Sequence, residues 1–418
     1  MGTISVDGAR LRADLEALAR FGAVAGSGVS RTSFSAADRA ARAWYLDRCA
    51  DAGLWVEVDG IGNMFVSRPE EPGGTPDGPA VWSGSHLDSV PYGGRFDGAL
   101  GTLAALECLR RLHEEKVPLA RPVRAVVYAD EEGNYGHLLG SGALARGFTR
   151  AQLEALTGRD GDRFADTFVA AGFDLDRATR TRVDPARIHA TVELHIEQGP
   201  HLERLGTRIG IVTGIVGLGG GTITFRGRAD HAGTTPMPMR KDALTAASAL
   251  IVRLPELARS VSDRAVVTVG IIGVHPGGAN VVPGTATMSV DYRHPEQDPL
   301  DALERTIVAA AREVAAAHGI EVEIELEPTI PPSLMDSGIQ RVIAEAAAGR
   351  GLSATPIPSG AGHDSQNMAT LAPTGMIFVP SAGGRSHCPE EETAWADVEN
   401  GANVLLDTIL ALASTRAG

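Results

Sequence analysis

The chain is short of the features that mark secreted, membrane-bound or nucleic-acid-binding proteins. Its 418 residues include only three cysteines, Cys49, Cys108 and Cys388, which stand far apart with no CxxC spacing. A disulfide framework is therefore not expected, and a reducing cytoplasm is the expected location. No basic-then-apolar segment opens the chain. No apolar run approaches the ~18–20 residues of a membrane span. Positive charge is scarce: 38 Lys and Arg stand against 52 Asp and Glu, a formal net charge of −14. That balance argues against nucleic acid and an anionic membrane surface as partners, although a local basic residue can still bind an anion. Internal repeats and low-complexity segments are also missing. What is plentiful is apolar sequence, 43% of the chain. That suffices for a sizeable core, and the length suits two or three domains.

Hydrophobic spacing sets the expected order of elements. Leu11, Leu15 and Leu18 recur at helical spacing and predict an amphipathic helix over 8–21. Ser35 followed by Asp38 resembles a capping box before a helix ending near Gly53. Strands are expected at 54–58 and 63–67, and the Pro- and Gly-rich stretch 70–78 reads as an exposed loop. Three apolar runs then end in polar clusters. Residues 80–82 lead into GSHLDSVPYGGRFDG (84–98), 122–129 into Asp130-Glu131-Glu132-Gly133, and 188–196 into ELHIEQG. A helix from about 99 to 115 separates the first two. Strands alternating with helices, polar at the strand ends, indicate an α/β domain.

The composition shifts near Val212. Strand (214–226), helix (241–258), strands (265–275 and 285–293), helix (299–318) and strand (320–326) follow, the βαββαβ order of a ferredoxin-like domain. The chain returns through a linker at 327–332 to a helix (337–349), the GAGHDSQ segment, a strand (375–379), the loop SAGGRSHCPEEET and a last helix (395–414). The expected architecture is one α/β domain, 1–211 with 328–418, interrupted by a smaller domain at 212–327.

His86, Asp88 and Asp97 lie in the first polar loop, Glu131 and Glu132 after the next strand, His195 at a third strand end, and His387 in a Gly/Ser loop. Singly, each has an ordinary reading: HxD as a cap, Glu-Glu as solvated charge, His195 as an ion pair with Glu193 or Glu197, His387 as a cap. Jointly, at successive strand ends, they form a donor set. Imidazole with carboxylate suits Zn²⁺, Mn²⁺, Co²⁺ or Ni²⁺. Five ligands are too many for one tetrahedral ion, whereas a bridging carboxylate lets two ions ~3.5–4 Å apart share them and clamp a hydrolytic water. Adjacent glutamates point to different sides, so one can bind metal while the other acts as general base. The smaller domain adds His231 in GRADHAGTTPM, Asn280 in GGANVVPG and Arg293 in DYRHP. Arg forks onto carboxylates, and Asn holds an amide or carboxylate. By local context alone, Arg293 reads equally as a surface ion pair and His231 as a turn histidine.

With SGAGHDSQ (359–366) and SHCPEE (386–391), these motifs make the chain resemble the amidase, hydantoinase and carbamoylase branch of the dinuclear metallopeptidase-like superfamily, over nearly its full length. Members include N-carbamoyl-L-amino acid hydrolases, β-ureidopropionases and allantoate amidohydrolases. The resemblance implies a metallopeptidase-like catalytic domain with 212–327 as lid and dimerisation domain. It implies metal ligation by His86, Asp97, Glu132, His195 and His387. Asp97 would bridge, one ion taking His86 and Glu132, with His195 and His387 completing the pair. Glu131 matches the general base, and Asp88 the residue that orients His86. His231 matches a lid histidine that stabilises the oxyanion, supplied by the neighbouring subunit of a homodimer. Gln198, Asn280 and Arg293 match substrate-binding positions, Arg293 for a carboxylate, with His363 near them. Two stretches depart from the family. Asn134-Tyr135-Gly136-His137 stands where a small residue, Arg and Phe are frequent, and Tyr92-Gly93-Gly94 where Asn-Gly-Gly is frequent. Both are expected beside the pocket and bear on the substrate.

The resemblance implies hydrolysis of a C–N bond in the carbamoyl or ureido group of a carboxylate-bearing substrate. An N-carbamoyl-L-amino acid comes first, giving amino acid, CO₂ and ammonia. Two divalent ions per subunit would serve it, Zn²⁺ or Mn²⁺, with Co²⁺ or Ni²⁺ as alternatives. Alternative activities are allantoate amidohydrolase or β-ureidopropionase, then N-acyl amino acid deacylase or dipeptidase. Outside enzymology, the alternative is a metal-binding regulatory protein with decayed catalysis, against which the intact Glu131 and full ligand set stand. The native metal and the choice between α- and β-amino acid products stay open.

Overall fold

The computed structural model describes residues 4–69 and 78–414, so most of the loop expected at 70–78 lies outside the described residues. In chain order the strands are β1 (Trp55–Val58), β2 (Met64–Ser67), β3 (Ala80–His86), β4 (Val123–Tyr128), β5 (Ile188–Ile196), β6 (Ile209–Ile215), β7 (Gly217–Arg226), β8 (Asp230–His231), β9 (Val266–Thr268), β10 (Ile272–His275), β11 (Val281–Val282), β12 (Thr285–His294), β13 (Glu321–Leu326), β14 (Ser333–Leu334), β15 (Ala354–Ser359) and β16 (Thr374–Val379). They fall in two compact units, Met1–Thr213 with Leu334–Gly418, and Gly214–Ser333. The strand read over 214–226 is in fact the end of β6 and all of β7, which belong to different sheets. The strand read over 265–275 is also two, β9 and β10, either side of Gly270.

In the first unit the sheet runs β1-β2-β4-β3-β5-β16-β6, with β14 and β15 both on β6. β4, β3, β5 and β16 are parallel neighbours. β1, β2 and β6 add to this block antiparallel. Parallel strands need cover on both faces, and β3 is buried at all seven positions. Helices Ala99–Glu114 and Trp395–Ser414 supply Leu100, Leu103, Leu106, Leu405 and Leu406 to a core shared with Val81, Val127 and Leu194. Each such side chain contributes ~1.5–3 kcal/mol by leaving water. The parallel block delivers four carboxyl ends to one sheet edge, the edge where open α/β sheets bind ligands.

In the second unit the order is β10-β12-β7-β13, with β9 also on β12, and every pairing is antiparallel. Helices Ala243–Val261 and Gln297–Ala317 complete a βαββαβ order. Burial alternates along β12: Ala286, Met288, Val290, Tyr292 and His294 are buried, while the residues between them, Arg293 included, are only half-buried. No helix of the described residues is long and apolar enough to cross a membrane.

Candidate metal centre

The four parallel strands set the candidate donors side by side. His86 ends β3, Glu131 and Glu132 follow β4, His195 is the penultimate residue of β5, and His387 lies in the loop after β16. Gly98, with φ +62°, closes the first loop: a Cβ there would lie 2.3 Å from the His86 ring. Only glycine accepts both that conformation and that approach. Tyr92, Asp130, Gln198 and His387, all on these loops, hold φ of 54, 54, 57 and 55°. Such left-handed conformations cost of order 1–3 kcal/mol each and persist where the surroundings over-determine them.

Backbone carbonyls orient the two buried imidazoles. His86 Nδ1 donates to the Asp88 carbonyl at 3.0 Å, and His195 Nδ1 to the Ile196 carbonyl at 2.9 Å. A carbonyl only accepts, so each neutral ring carries its proton on Nδ1 and presents a lone pair at Nε2. Both Nε2 atoms are buried without a hydrogen-bond partner among the described residues. They face Asp97 Oδ1, at 3.6 Å from His86 and 3.1 Å from His195. The other oxygen, Oδ2, is 3.2 Å from His387 Nε2, which is 3.5 Å from Glu132 Oε2. Asp97 thus turns one oxygen to each of two donor groups, His86–Asp97–His195 and Asp97–Glu132–His387, each with ligand atoms within 4.8 Å of one another. Neutral rings would set buried lone pairs against a carboxylate, which is unfavourable; against the pull of burial, Glu131 and Asp97 raise His86 and Asp97 raises His195, so protons answer the conflict without metal. A divalent first-row metal, which the N/O donor set fits, would answer it in their place. The groups differ in access. His86 and His195 are 1% exposed, the His387 ring 52%. Glu131 stands alongside, its Oε2 3.5 Å from His86 Nε2.

The strand order sets the partnerships. Glu132 faces His387, and His86 shares Asp97 Oδ1 with His195, because β3 and β5 are adjacent strands, while His86, Glu131 and Glu132 also have ligand atoms within 4.8 Å of one another. Asp88 orients His86 through its backbone; its carboxylate Oδ1 is 3.8 Å from Nδ1, and Oδ2 accepts the Glu132 N–H at 3.1 Å. Gln198 Nε2 donates to Asp97 Oδ2 at 2.8 Å and to Ser386 Oγ at 3.3 Å, so it braces the carboxylate between the two groups. His363 is 1% exposed, its ring 4.4 Å from that of His195 and its Nε2 2.9 Å from Ser359 Oγ. Burial and the His195 ring hold it well below the ordinary histidine range, so it is a neutral packing partner of His195. Tyr135, expected beside the pocket, is buried against Phe34 and Phe164 with its hydroxyl on Asp162. His137 does lie beside Glu131, its Nδ1 3.2 Å from that residue's carbonyl oxygen. Tyr92 is exposed.

The ion-free electrostatics are strained. Burial opposes charge on Asp97, yet the imidazoles of His195, His387 and His86 hold its carboxyl well below the ordinary range. Burial pushes Glu131 well above the ordinary range despite the pull of His86, helped by Glu132 and Asp364. Burial and Asp97 push Glu132 up to about 7. Contact with Asp97 raises His387 to about 9. Bound cations favour the ionised carboxylates again.

Sequence reasoning missed Glu193, Asp364 and Glu391. Glu193 accepts from Ser85 Oγ at 2.7 Å and Ser365 Oγ at 2.6 Å. Asp364 is fully buried with no partner for either oxygen among the described residues. Burial, with Glu193 beside it, pushes its carboxyl well above the ordinary range. All three stand in motifs already singled out, but no spacing separates a buried carboxylate from a solvated one.

In the second unit β8 and β11 bring His231 and Asn280 together: His231 pairs with Val281, and the Ala232 N–H donates to the Asn280 carbonyl at 2.9 Å. Both residues are exposed. His231 Nδ1 accepts the N–H groups of Gly233 and Thr234 at 3.0 and 3.2 Å, which leaves the neutral ring's proton on Nε2. Arg293 lies near the other end of β12 from Thr285, roughly 26 Å along the strand. Its Nε is 3.0 Å from Asp291 Oδ1.

A sequence profile described as peptidase family M20/M25/M40 matches residues 82–411. An N-carbamoyl-L-amino acid amidohydrolase of Geobacillus stearothermophilus is 37% identical, over 98% of this chain and 99% of its own. An allantoate amidohydrolase of Bacillus subtilis (strain 168) is 34% identical, over 96% of each. Among solved structures, an amidase of the hydantoinase/carbamoylase family from Burkholderia multivorans aligns with a TM-score of 0.89 at 36% identity, covering 99% of this chain and 100% of that one.

Proposed function

We propose, for a chain that belongs to the peptidase M20/M25/M40 family, hydrolysis of the carbamoyl C–N bond of an N-carbamoyl-L-amino acid. The chain is a metal-dependent hydrolase acting on C–N bonds outside peptides. One observation carries the finer reading. Asp97 turns one oxygen to each of two donor groups, in a chain whose full-length relatives include an enzyme named for that substrate.

The proposal gives one divalent ion to His86, Asp97 and His195 and a second to Asp97, Glu132 and His387. Zn²⁺ or Mn²⁺ comes first, with Co²⁺ or Ni²⁺ as alternatives. Such ions, when bound, acidify water and polarise a carbonyl. Glu131, buried and with raised proton affinity, takes a proton from the attacking water and delivers it to the leaving nitrogen. Water adds to the ureido carbon, the bond to the terminal nitrogen breaks, and ammonia leaves. The carbamate left on the amino nitrogen loses CO₂ to give the amino acid. The Nε2–H of His231 is the proposed donor to the developing oxyanion. Arg293 and Asn280 are the proposed holders of the substrate carboxylate. The strand length between the His231–Asn280 corner and Arg293 exceeds a small substrate. That supports a homodimer in which these groups of one chain serve different active sites. The cytoplasm is the proposed location.

Allantoate is the second reading, favoured by the B. subtilis relative. A substrate panel separates them: N-carbamoyl-α-amino acids, a β-ureido acid, allantoate, N-acyl amino acids and dipeptides. Each is scored for ammonia or amine release with Mn²⁺, Zn²⁺, Co²⁺ and Ni²⁺ in turn. The fastest ammonia release is expected from an N-carbamoyl-L-amino acid. Fastest release from allantoate moves the assignment, and amine release from dipeptides alone overturns both readings.

A further inference from the structure

We propose that Glu391 is the positioning residue that holds the solvent-facing ion position together, an inference that rests on the two-ion reading above. Glu391 is 1% exposed. Its Oε1 accepts the backbone N–H groups of Phe96 and Asp97 at 2.9 and 3.1 Å, and its Oε2 accepts from Ser386 Oγ at 2.6 Å. One carboxylate therefore ties the loop that carries Asp97 to the loop that carries His387. Ser386 Oγ in turn accepts from Gln198 Nε2 at 3.3 Å, and that amide also donates to Asp97 Oδ2 at 2.8 Å, which closes the link. Space is reserved for this side chain: a Cβ on Gly94 would lie 2.0 Å from Glu391 Oε1. Its neighbours behave otherwise. Glu390 pairs with Arg385 and Glu392 with Arg95, both at the surface. Of three consecutive glutamates, the middle one alone is turned inward.

The two ion positions depend on this strut unequally. His86 and His195 are residues of β3 and β5, fixed by the sheet itself. His387 sits on a loop, half exposed and at φ +55°. Without the carboxylate, two buried N–H groups lose their acceptor and the His387 loop loses its tie to Asp97. Removing an outer partner of a metal ligand weakens metal binding about 10–100-fold.

The test uses the full-length chain as wild type, Glu391→Ala and Glu391→Gln. Metal per chain is measured by elemental analysis after loading with Zn²⁺ and dialysis, and each affinity by titration. Unfolding of the ion-free chains serves as the control. Wild type should retain two ions. Glu391→Ala should retain the one held by His86 and His195 and bind the other about 10–100-fold more weakly. In Glu391→Gln the amide oxygen still accepts from Phe96 and Asp97, and the amide nitrogen can donate to Ser386 Oγ. It should therefore recover most of the lost affinity. Unchanged affinities in Glu391→Ala, or equal losses in both variants, overturn the strut. A wild type that binds a single ion overturns the two-ion premise instead. Should Glu391→Ala fail to fold, Ser386→Ala removes the 2.6 Å link from Glu391 to the His387 loop, with the longer 3.3 Å contacts to Gln198 and Asp97, and leaves Glu391 on the Phe96 and Asp97 N–H groups. A weaker second ion there supports the proposal, and wild-type affinity overturns it.

Discussion

Two buried charge clusters share the first unit and are built on opposite rules. In one, Arg10 meets Glu107 at 2.7 Å and Arg110 meets Asp14 at 2.5 Å and Glu107 at 3.7 Å. Two guanidinium groups answer two buried carboxylates, Arg10 also reaching Glu114 at 2.5 Å nearer the surface, and the charge is compensated within the protein. In the other, Asp88, Asp97, Glu131, Glu132, Glu193 and Asp364 crowd one sheet edge, and no Arg or Lys pairs with any of them among the described residues. Imidazoles are the ion-pairing groups that approach Asp88, Asp97, Glu131 and Glu132, and neutral donors such as Ser85, Ser365 and Gln198 supply the rest. Buried carboxylates without compensation are costly. The first cluster is compensated as folded, and the second leaves carboxylates that a bound metal would compensate.

The contrast can be broken at its largest effect first. Glu131→Gln should keep bound metal yet lower kcat by about 10²–10⁴, the usual range for a general base. Near-normal turnover would remove Glu131 from that role. Glu107→Ala should do the reverse. It leaves Arg110 and Arg10 without their shared carboxylate and should cost about 3–5 kcal/mol in urea unfolding, with metal content unchanged. A parallel loss of metal would show that the clusters are not independent.

Arg293→Ala probes a charge outside both clusters. A charge-assisted hydrogen bond is worth ~1.5–3 kcal/mol, so KM for a carboxylate substrate should rise about 10–100-fold, with a smaller change in kcat. A KM that hardly moves discards the carboxylate clamp.

The gentlest probe is pH. In the ion-free chain Glu132 is raised from 4.5 to about 7 and His387 from 6.5 to about 9. Both folded-state values lie above the unfolded ones, so the folded chain binds more protons. Stability should therefore fall as pH rises from 4.5 through 7, and again from 6.5 through 9. Asp97 is depressed, so its contribution is lost only below the ordinary carboxylate range. Metal binding needs deprotonated ligands and strengthens with pH. The gap in Tm between metal-loaded and chelator-treated protein should widen from pH 5 to pH 9. A constant gap would mean that these groups do not bind the ion.

Much of the site was legible because its donors sit at strand ends, and strand ends show as apolar runs stopping at polar clusters. His86, Glu131, Glu132 and His195 were found that way. Sequence names a side chain and not which of its atoms a neighbour meets, so it did not tell that His86 is held by the Asp88 backbone carbonyl or that Gln198 donates to Asp97. The resemblance set His363 near the substrate-binding positions; the fold buries it with its ring 4.4 Å from that of His195. Tyr135 was expected beside the pocket because it stands where the chain departs from the family, and it turns into an aromatic cluster.

What the sequence determined by itself is an inventory and an order: which donors exist, which runs become strands or helices, and where one pattern gives way to another. These are properties of neighbours along the chain, so local periodicity carries them. The tertiary structure alone decided who meets whom. Asp97 faces His195 and His387, 98 and 290 positions away, because β3 lies between β4 and β5 and β5 lies beside β16. Glu391 turns inward while Glu390 and Glu392 stay at the surface, because the Asp97 loop leaves two backbone N–H groups and a glycine's worth of space for it. Contacts at such separations are set by strand order and packing, which no local pattern of residues records.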